Sequence, residues 1–248
     1  MRGLAGEKLL RAWERSRELP EQQAALALLE MADPERPADD WARLPLGERD
    51  ARLLELRAAT LGRRMEGFAV CRACGAQLEF ALDARELAKG LMQPEGRSKK
   101  AEAIAMRPAN TLDLLASAVA ASEEDARAIL LARTACASAG KAEAMTTGEK
   151  ARHWLKAQTP RAAERMMKRF EQVNAAAEIR LQLQCAACGG RSVLDFDVVR
   201  YLLREIGVAA RRLMGEIHEL ALAYGWSEAA IVGMSGARRA AYLEMLGT

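Results

Sequence analysis

The motif CRACG at residues 71–75 returns as CAACG at residues 185–189, and this repetition decides how the chain folds. A single CxxC segment offers two thiolates, whereas Zn²⁺ in a structural site takes four ligands in a tetrahedron. The glycine after the second cysteine permits a left-handed turn, which lets backbone N–H groups face the sulfur atoms. Two such halves complete one site. The sequence therefore predicts a Cys₄ zinc site formed by Cys71, Cys74, Cys185 and Cys188.

The two CxxCG turns are here called knuckles. The residues that surround the first knuckle also match those that surround the second. Aligned without a gap, they coincide pairwise: Phe80 with Leu194, Leu82 with Phe196, and Asp83 with Asp197. Apolar residues alternate beside each knuckle, as in half-buried strands, and helical patterns follow. Each half is therefore predicted to be strand, knuckle, strand and helix. The predicted fold class is mainly α with a small central β zinc ribbon (α+β), its two halves separated by a helical insert.

Two other interpretations of the cysteines are weaker. Redox-active CxxC motifs lie at a helix N-terminus after a βαβ strand, whereas here glycine and a second strand follow. Free thiols without a metal are the remaining alternative. A closed four-ligand site leaves no position for a substrate, so we expect a structural metal, and four thiolates suit zinc or iron. The fifth cysteine, Cys136, lies in an alanine-rich stretch and is interpreted as a small buried side chain.

Hydrophobic periodicity divides the chain into four segments. The first contains amphipathic helices at about 6–18 and 21–32, then the charged stretch DPERPADDWARLP, which is interpreted as a linker. The following helix has an apolar face that extends from Leu53 to Met65. The predicted segments are 1–40 (N-terminal helices and linker), 41–94 (helix and first knuckle half), 95–177 (loop and helical insert) and 178–248 (second knuckle half and C-terminal helices).

Composition disfavours several classes of protein. The net charge is +3, from 37 basic and 34 acidic residues, and only Arg72 and Arg191 lie in the knuckle turns, so a nucleic-acid-binding zinc ribbon is disfavoured. The charged N-terminus is no secretory signal, and no apolar run approaches the roughly 20 residues that span a bilayer. We expect a cytoplasmic protein without a membrane partner. Since no phosphate loop or paired acid and base residues occur, we expect neither an enzyme nor a small-molecule substrate.

The C-terminal end is the predicted surface for a protein partner. Aromatic and arginine side chains are enriched at binding hot spots, and several occur here within a short stretch. The alternative is that the aromatic rings only close the core. The predicted partner-binding residues are Tyr224, Trp226, Arg238, Arg239 and Tyr242.

Four stretches carry a resemblance to a known family: LPLGERDARLLELRAATLGRRMEGFAVCRACGAQLEFALD, EIRLQLQCAACG, IHELALAYGWSEAAIV and RRAAYLEML. In this order, over roughly residues 40–246, they resemble the T-even (T4-like) phage baseplate proteins, or baseplate hub assembly chaperones. Bacterial members of that family are encoded with contractile injection systems. The family pattern is CPxCG, and Arg72 and Ala186 replace its proline here.

The resemblance implies a function without catalysis. It implies an assembly chaperone or adaptor for the baseplate hub, with hub, spike or wedge proteins as partners. A structural subunit that stays in the finished particle is the first alternative, and a zinc-ribbon regulator that binds nucleic acid is a weaker one. Only the four paired cysteines have a role that carries over from the family pattern.

Overall fold

The structure, a computed structural model, describes residues 1–92, 105–135, 141 and 144–247. These residues are mainly helical and contain two small antiparallel sheets of two strands each. The predicted combination of α-helices with a small β part is thus confirmed. Cys136 and residues 95–104 of the predicted loop lie outside the described residues.

The elements follow one another in the order that the repeated motif predicts. The helices of the described residues are α1 (Glu7–Glu18), α2 (Glu21–Ala32), α3 (Ala38–Arg43), α4 (Leu46–Leu61), α5 (Ala84–Met92), α6 (Thr111–Ala118), α7 (Glu123–Ala135), α8 (Gly148–Lys156), α9 (Pro160–Asn174), α10 (Val198–Tyr224), α11 (Glu228–Val232) and α12 (Gly236–Leu246). The strands are β1 (Arg64–Val70), β2 (Gln77–Asp83), β3 (Ile179–Gln184) and β4 (Arg191–Phe196).

Helix ends follow the capping signals in the sequence. The hydroxyls of Ser122, Thr159, Ser227 and Ser235 each accept a hydrogen bond from a backbone N–H three residues further on. Gly225, with φ of 65°, ends α10 in the left-handed conformation.

The main core forms where α1, α2 and α4 pack against the long helix α10. The apolar positions of α10 recur every three or four residues, so they share one face, and that face is buried. Its buried members include Leu202, Ile206, Leu213, Ile217 and Leu220. The apolar stripe that the sequence shows is therefore buried along most of this helix.

The stretch interpreted as a linker contributes to this core. Residues Ala38–Arg43 form α3, and Trp41 is only 1% exposed. The guanidinium of Arg36 lies 4.3 Å from the centre of the Trp41 ring. The interpretation as a linker was wrong because proline and acidic residues masked one large apolar anchor. Leu10 of α1 and Leu28 of α2 lie in the same main core as Trp41.

The helix α4 is shorter than its apolar face predicts. It ends at Leu61, because Gly62 has φ of 92°, and β1 begins at Arg64. Met65 is fully buried, but as a strand residue rather than on the helix. The apolar periodicity of the sequence continues past Gly62, but the helix ends there because Gly62 has a left-handed conformation.

The two hairpins are equivalent in register. Phe80 pairs with Gly67 in the first hairpin, and Leu194 pairs with Leu181 in the second. Met65 and Phe196, at the strand ends away from the cysteines, lie in the main core. Phe68, near the cysteine end, is 67% exposed. The predicted central position thus holds only for the strand ends distant from the cysteines.

The insert has a small core of its own, in which Ala128, Ile129, Ala132 and Ala151 are buried. It joins the body where Pro45 and Asn110 form an isolated bridge. A cluster of charges stabilises its first turn, since Asp113 is fully buried and accepts hydrogen bonds from Arg107 and Arg133. The insert is therefore attached to the body of the fold as a secondary unit.

Candidate metal centre

The structure brings the four paired cysteines of the sequence together. The sulfur atoms of Cys71 and Cys188 lie 3.8 Å apart, and those of Cys74 and Cys185 lie 3.7 Å apart. All four sulfur atoms lie within 4.8 Å of one another. Each short distance joins one knuckle to the other, so the site is shared between two segments that are far apart in sequence.

The two knuckles have the same backbone geometry. The Cys71 N–H donates to the carbonyl of Ala76 at 2.8 Å, and the Cys185 N–H donates to that of Gly190 at 2.8 Å. The glycines after the second cysteines, Gly75 and Gly189, have φ of 75° and 71°. This left-handed conformation favours glycine, as the sequence predicts. The repeated motif therefore produces a repeated turn.

The sulfur positions fit a tetrahedral metal ion. With Zn–S bonds of about 2.3 Å, neighbouring sulfurs of a tetrahedron lie about 3.8 Å apart. The short distances between the two knuckles agree with this value. Since no disulfide links Cys71, Cys74, Cys185 or Cys188, the thiols are available as ligands. The arrangement can hold one metal ion with four thiolates and leaves no place in its coordination for a substrate.

Electrostatics within the cluster favour a cation. Backbone N–H groups of Cys74 and then Ala73 donate to the sulfur of Cys71 and lower its pKa to about 6. At Cys74 the N–H of Ala76 also lowers the pKa, but the thiols of Cys188 and Cys185 outweigh it and raise the pKa to about 12. One thiolate thus forms easily and disfavours a second. A divalent cation removes this conflict because it stabilises all four charges.

Burial divides the ligands into two inner and two outer sulfurs. Cys71 and Cys185 are each 2% exposed, whereas Cys74 and Cys188 are exposed. The inner pair packs with Leu78 in a small apolar cluster, to which Leu183 adds a partly buried side chain. The cluster shields one side of the site from water, and the other side is open.

Two polar contacts connect the helices α4 and α10 with each other and with the first hairpin. Arg57 on α4 donates to both carboxylate oxygens of Glu205 on α10, at 2.8 and 2.7 Å. The Tyr201 hydroxyl on α10 donates to the carbonyl of Glu66 in β1 at 2.8 Å. The first contact joins α4 to α10, and the second joins β1 of the first hairpin to α10. The second hairpin is held by apolar packing, since Ile179 and Phe196 lie in or against the main core. Sequence analysis missed the two polar contacts, since no local pattern marks an ion pair between distant positions.

The family of the chain follows from a comparison with known families. A family profile described as T4 bacteriophage base plate protein matches residues 7–201, well over half of the chain. The chain belongs to this family. No curated protein and no solved structure matches it significantly.

The baseplate-family match differs in extent from the sequence resemblance. It includes α1 and α2, which lie before the resembling stretches, and it contains both knuckles with all four paired cysteines. It ends at Tyr201, in the second turn of α10, so the predicted partner surface at the C-terminus lies beyond it. Among the described residues, no helix combines the length and apolar character needed to cross a membrane.

Three of the predicted partner residues in this baseplate-family chain form one aromatic cluster. The rings of Tyr224 and Trp226 stack at 4.5 Å, and Tyr242 meets Trp226 edge-on at 4.9 Å. Arg238 lies over the Tyr242 ring at 5.8 Å and is exposed. Trp226 and Tyr242 also contact the main core, so the cluster closes the core on one side and presents Tyr224 on the other.

Arg239 is placed differently from the other four. It is only 9% exposed, donates to Glu216 at 2.9 Å and to the Met234 carbonyl at 2.7 Å. Its prediction as a partner contact is therefore corrected, because its guanidinium is already engaged in holding α12 onto α10.

Proposed function

We propose that this protein is a non-enzymatic assembly factor for the baseplate hub of a phage-like contractile tail or injection system. Membership of the baseplate family is the observation that carries the proposal. A rigid helical core with exposed apolar groups suits a chaperone or adaptor, which needs a binding face rather than an active site. Its partner would be a hub, spike or wedge protein, met in the cytoplasm where such particles assemble.

The metal in our proposal is a structural zinc ion. Four thiolates in a closed tetrahedral site suit Zn²⁺, which has no redox chemistry of its own. The ion would be bound by Cys71, Cys74, Cys185 and Cys188. Metal analysis of the purified protein tests this directly, because iron bound to four thiolates is coloured and zinc is not. One zinc per chain is expected, and a stoichiometric amount of iron would refute the assignment.

The client surface in our proposal lies at the end of α10 and on α12. The proposed surface comprises Tyr224, Trp226, Tyr242 and Arg238. Exposed apolar side chains accompany them on the same two helices, Leu222 on α10 at 75% exposure and Met245 on α12 at 64%. Such a patch of aromatic and aliphatic groups with one cation is typical of a binding hot spot.

A tagged purification from the native host tests the proposed function. Mass spectrometry of the eluate is expected to find hub, spike or wedge proteins. The variant Leu222→Ser/Tyr224→Ser should lose them, while Val119→Ser, another exposed apolar position on the insert, should retain them. Nucleic acid in the eluate without any tail protein would overturn the proposal in favour of a zinc-ribbon regulator.

The structural-subunit alternative needs a second measurement. Purified, assembled particles are probed for the chain by mass spectrometry. An assembly chaperone is expected to be absent or far below the amount of the baseplate proteins. An amount equal to that of a baseplate component would make the protein a permanent subunit.

A further inference from the structure

A second candidate binding surface lies between α1 and the N-terminal half of α10, where these two helices pack together. The two helices leave a groove of about 580 Å³ between them. It is lined by Trp13, Ser16, Arg17, Leu203, Arg204, Gly207, Val208 and Arg211. Its volume falls within the range of ligand sites, about 300–1,000 Å³.

The groove offers hydrogen-bond donors and almost no acceptors. Arg204 and Arg211 form no ion pair with any described residue, and Arg17 has only the ring of Trp13, at 4.9 Å. The Trp13 indole N–H donates no hydrogen bond within the described part of the chain. The Ser16 hydroxyl is used by the carbonyl of Ala12. Such a lining complements a ligand that carries acceptors and negative charge.

The floor of the groove includes a glycine, Gly207, and two apolar side chains. A Cβ at Gly207 would lie 3.5 Å from the guanidinium of Arg211 and 3.8 Å from the Trp13 ring. Val208 beside it is 60% exposed, and Leu203 is partly buried. An apolar side chain of a ligand can therefore be covered here while charged groups on either side meet the arginines.

We propose that this groove binds an acidic segment of a protein partner, with carboxylates at the arginines and one apolar side chain on Val208. The inference goes beyond the proposed function and does not depend on it. A peptide fits better than a nucleic acid because the basic character is confined to the groove. Glu14 and Glu18 adjoin its residues on α1, and Arg200, one turn before Arg204, is paired with Glu21. A nucleic acid needs an extended basic stripe.

The test measures fluorescence anisotropy of a labelled peptide, DELDEFED, with the full chain. Binding is expected for this peptide and not for its amide counterpart, NQLNQFQN. Arg204→Gln/Arg211→Gln should weaken binding about tenfold or more, at roughly a factor of three to five for each exposed charge pair. Gly207→Leu should weaken it as well by filling the floor, although all charges remain. Raising the salt concentration from 50 to 500 mM should also weaken it, because screening shortens the reach of the charges.

A matched control removes two arginines elsewhere. Arg161→Gln/Arg165→Gln on α9 makes the same change of charge at exposed helical positions and should leave binding unchanged. If this control weakened peptide binding equally, the loss would be due to the net charge of the chain and not to the groove, and the proposal would be overturned. So would equal binding of the amide peptide, or binding of a single-stranded oligonucleotide without the acidic peptide. Absence of peptide binding to the folded wild-type chain would overturn it too.

Discussion

For the metal ion that we propose at the four cysteines, removal is expected to unfold the two knuckles and to leave the main core folded. At the cysteine end the hairpins have only the small apolar cluster around Leu78. A hairpin of two strands is at best marginally stable by itself in water. The buried residues described in the main core include no cysteine, so that core does not depend on the site directly.

The size of the effect can be expressed as hydrogen exchange of the knuckle amides. An amide exchanges with solvent only when the structure around it opens, so its exchange rate reports the free energy of opening. With metal bound, the knuckles open only when the whole fold does, which costs about 5–15 kcal/mol in a typical domain. Structural zinc contributes about 10–16 kcal/mol in small peptides, which is enough to impose that limit. Without metal, the opening free energy falls towards that of an isolated hairpin, near zero. The loss of about 5 kcal/mol or more corresponds to at least a roughly thousandfold faster exchange.

Hydrogen exchange followed by mass spectrometry measures this change. The reporters are the amides of Cys71 and Cys185, which donate to the carbonyls of Ala76 and Gly190. Exchange is compared before and after chelation under reducing conditions, with metal loss verified by elemental analysis. Peptides from residues 202–220 of α10 serve as the internal control and should keep their protection.

Variants separate the site from general thiol chemistry. Cys188→Ser should reproduce the effect of chelation, because it removes one exposed ligand. Cys136→Ser, the cysteine outside the two motifs, should retain both the metal and the protection. The reasoning is refuted if the knuckle amides stay protected after verified metal loss. It is also refuted if the control peptides of α10 lose protection together with the knuckles.

Three further predictions concern the pair of Arg57 and Glu205, the pH dependence due to Asp113, and two glycines in different conformations. Arg57→Met leaves Glu205 without its cation and should cost about 3 kcal/mol in urea unfolding; Arg57→Met/Glu205→Gln should recover part of that loss, and no recovery would contradict the pairing. The pKa of Asp113 is below its ordinary 3.8, because burial raises it but two arginine side chains that donate to it outweigh burial. Its contribution to stability is therefore complete above the unfolded pKa and is lost as pH falls through the lower folded value; circular dichroism between pH 5 and 2 should show the loss, and Asp113→Asn should remove this pH dependence. Gly189→Ala places a side chain at φ of 71° and should cost about 1–2 kcal/mol. Gly215→Ala, inside α10 with open space around it, should instead stabilise the chain by about 1 kcal/mol, so two changes of equal sign would contradict the argument.

Local patterns made much of this fold predictable. A repeated CxxCG with alternating residues on both sides specifies a turn, two strands and two thiols, and the turns have this geometry. The apolar stripe of α10 was readable because a helix places every third or fourth residue on one face. Serine and threonine caps were readable because their hydroxyls satisfy N–H groups that the first turn leaves free.

The features that the sequence did not reveal depend on distant or masked signals. Trp41 lies among proline and acidic residues, so composition concealed a buried ring. The pair of Arg57 and Glu205 joins positions 148 apart in sequence, and neither has a neighbour that marks it. The groove at Gly207 exists only once α1 lies on α10. Tertiary packing creates such features, and a single sequence carries no local trace of them.

The spacing of the two half-sites raises the question of whether the metal holds the fold together. Cys74 and Cys185 are 111 positions apart, and the entropy lost by closing a loop grows with the logarithm of its length. That entropy loss is already offset elsewhere, because the ends of both hairpins pack into the main core, Met65 in the first and Phe196 in the second. The Tyr201 hydroxyl also donates to the carbonyl of Glu66 in the first hairpin. The metal ion then stabilises only the two knuckles. For this reason loss of the metal should lower the stability of the knuckles far more than that of the helical core. This holds even though the site joins two hairpins that are distant in sequence.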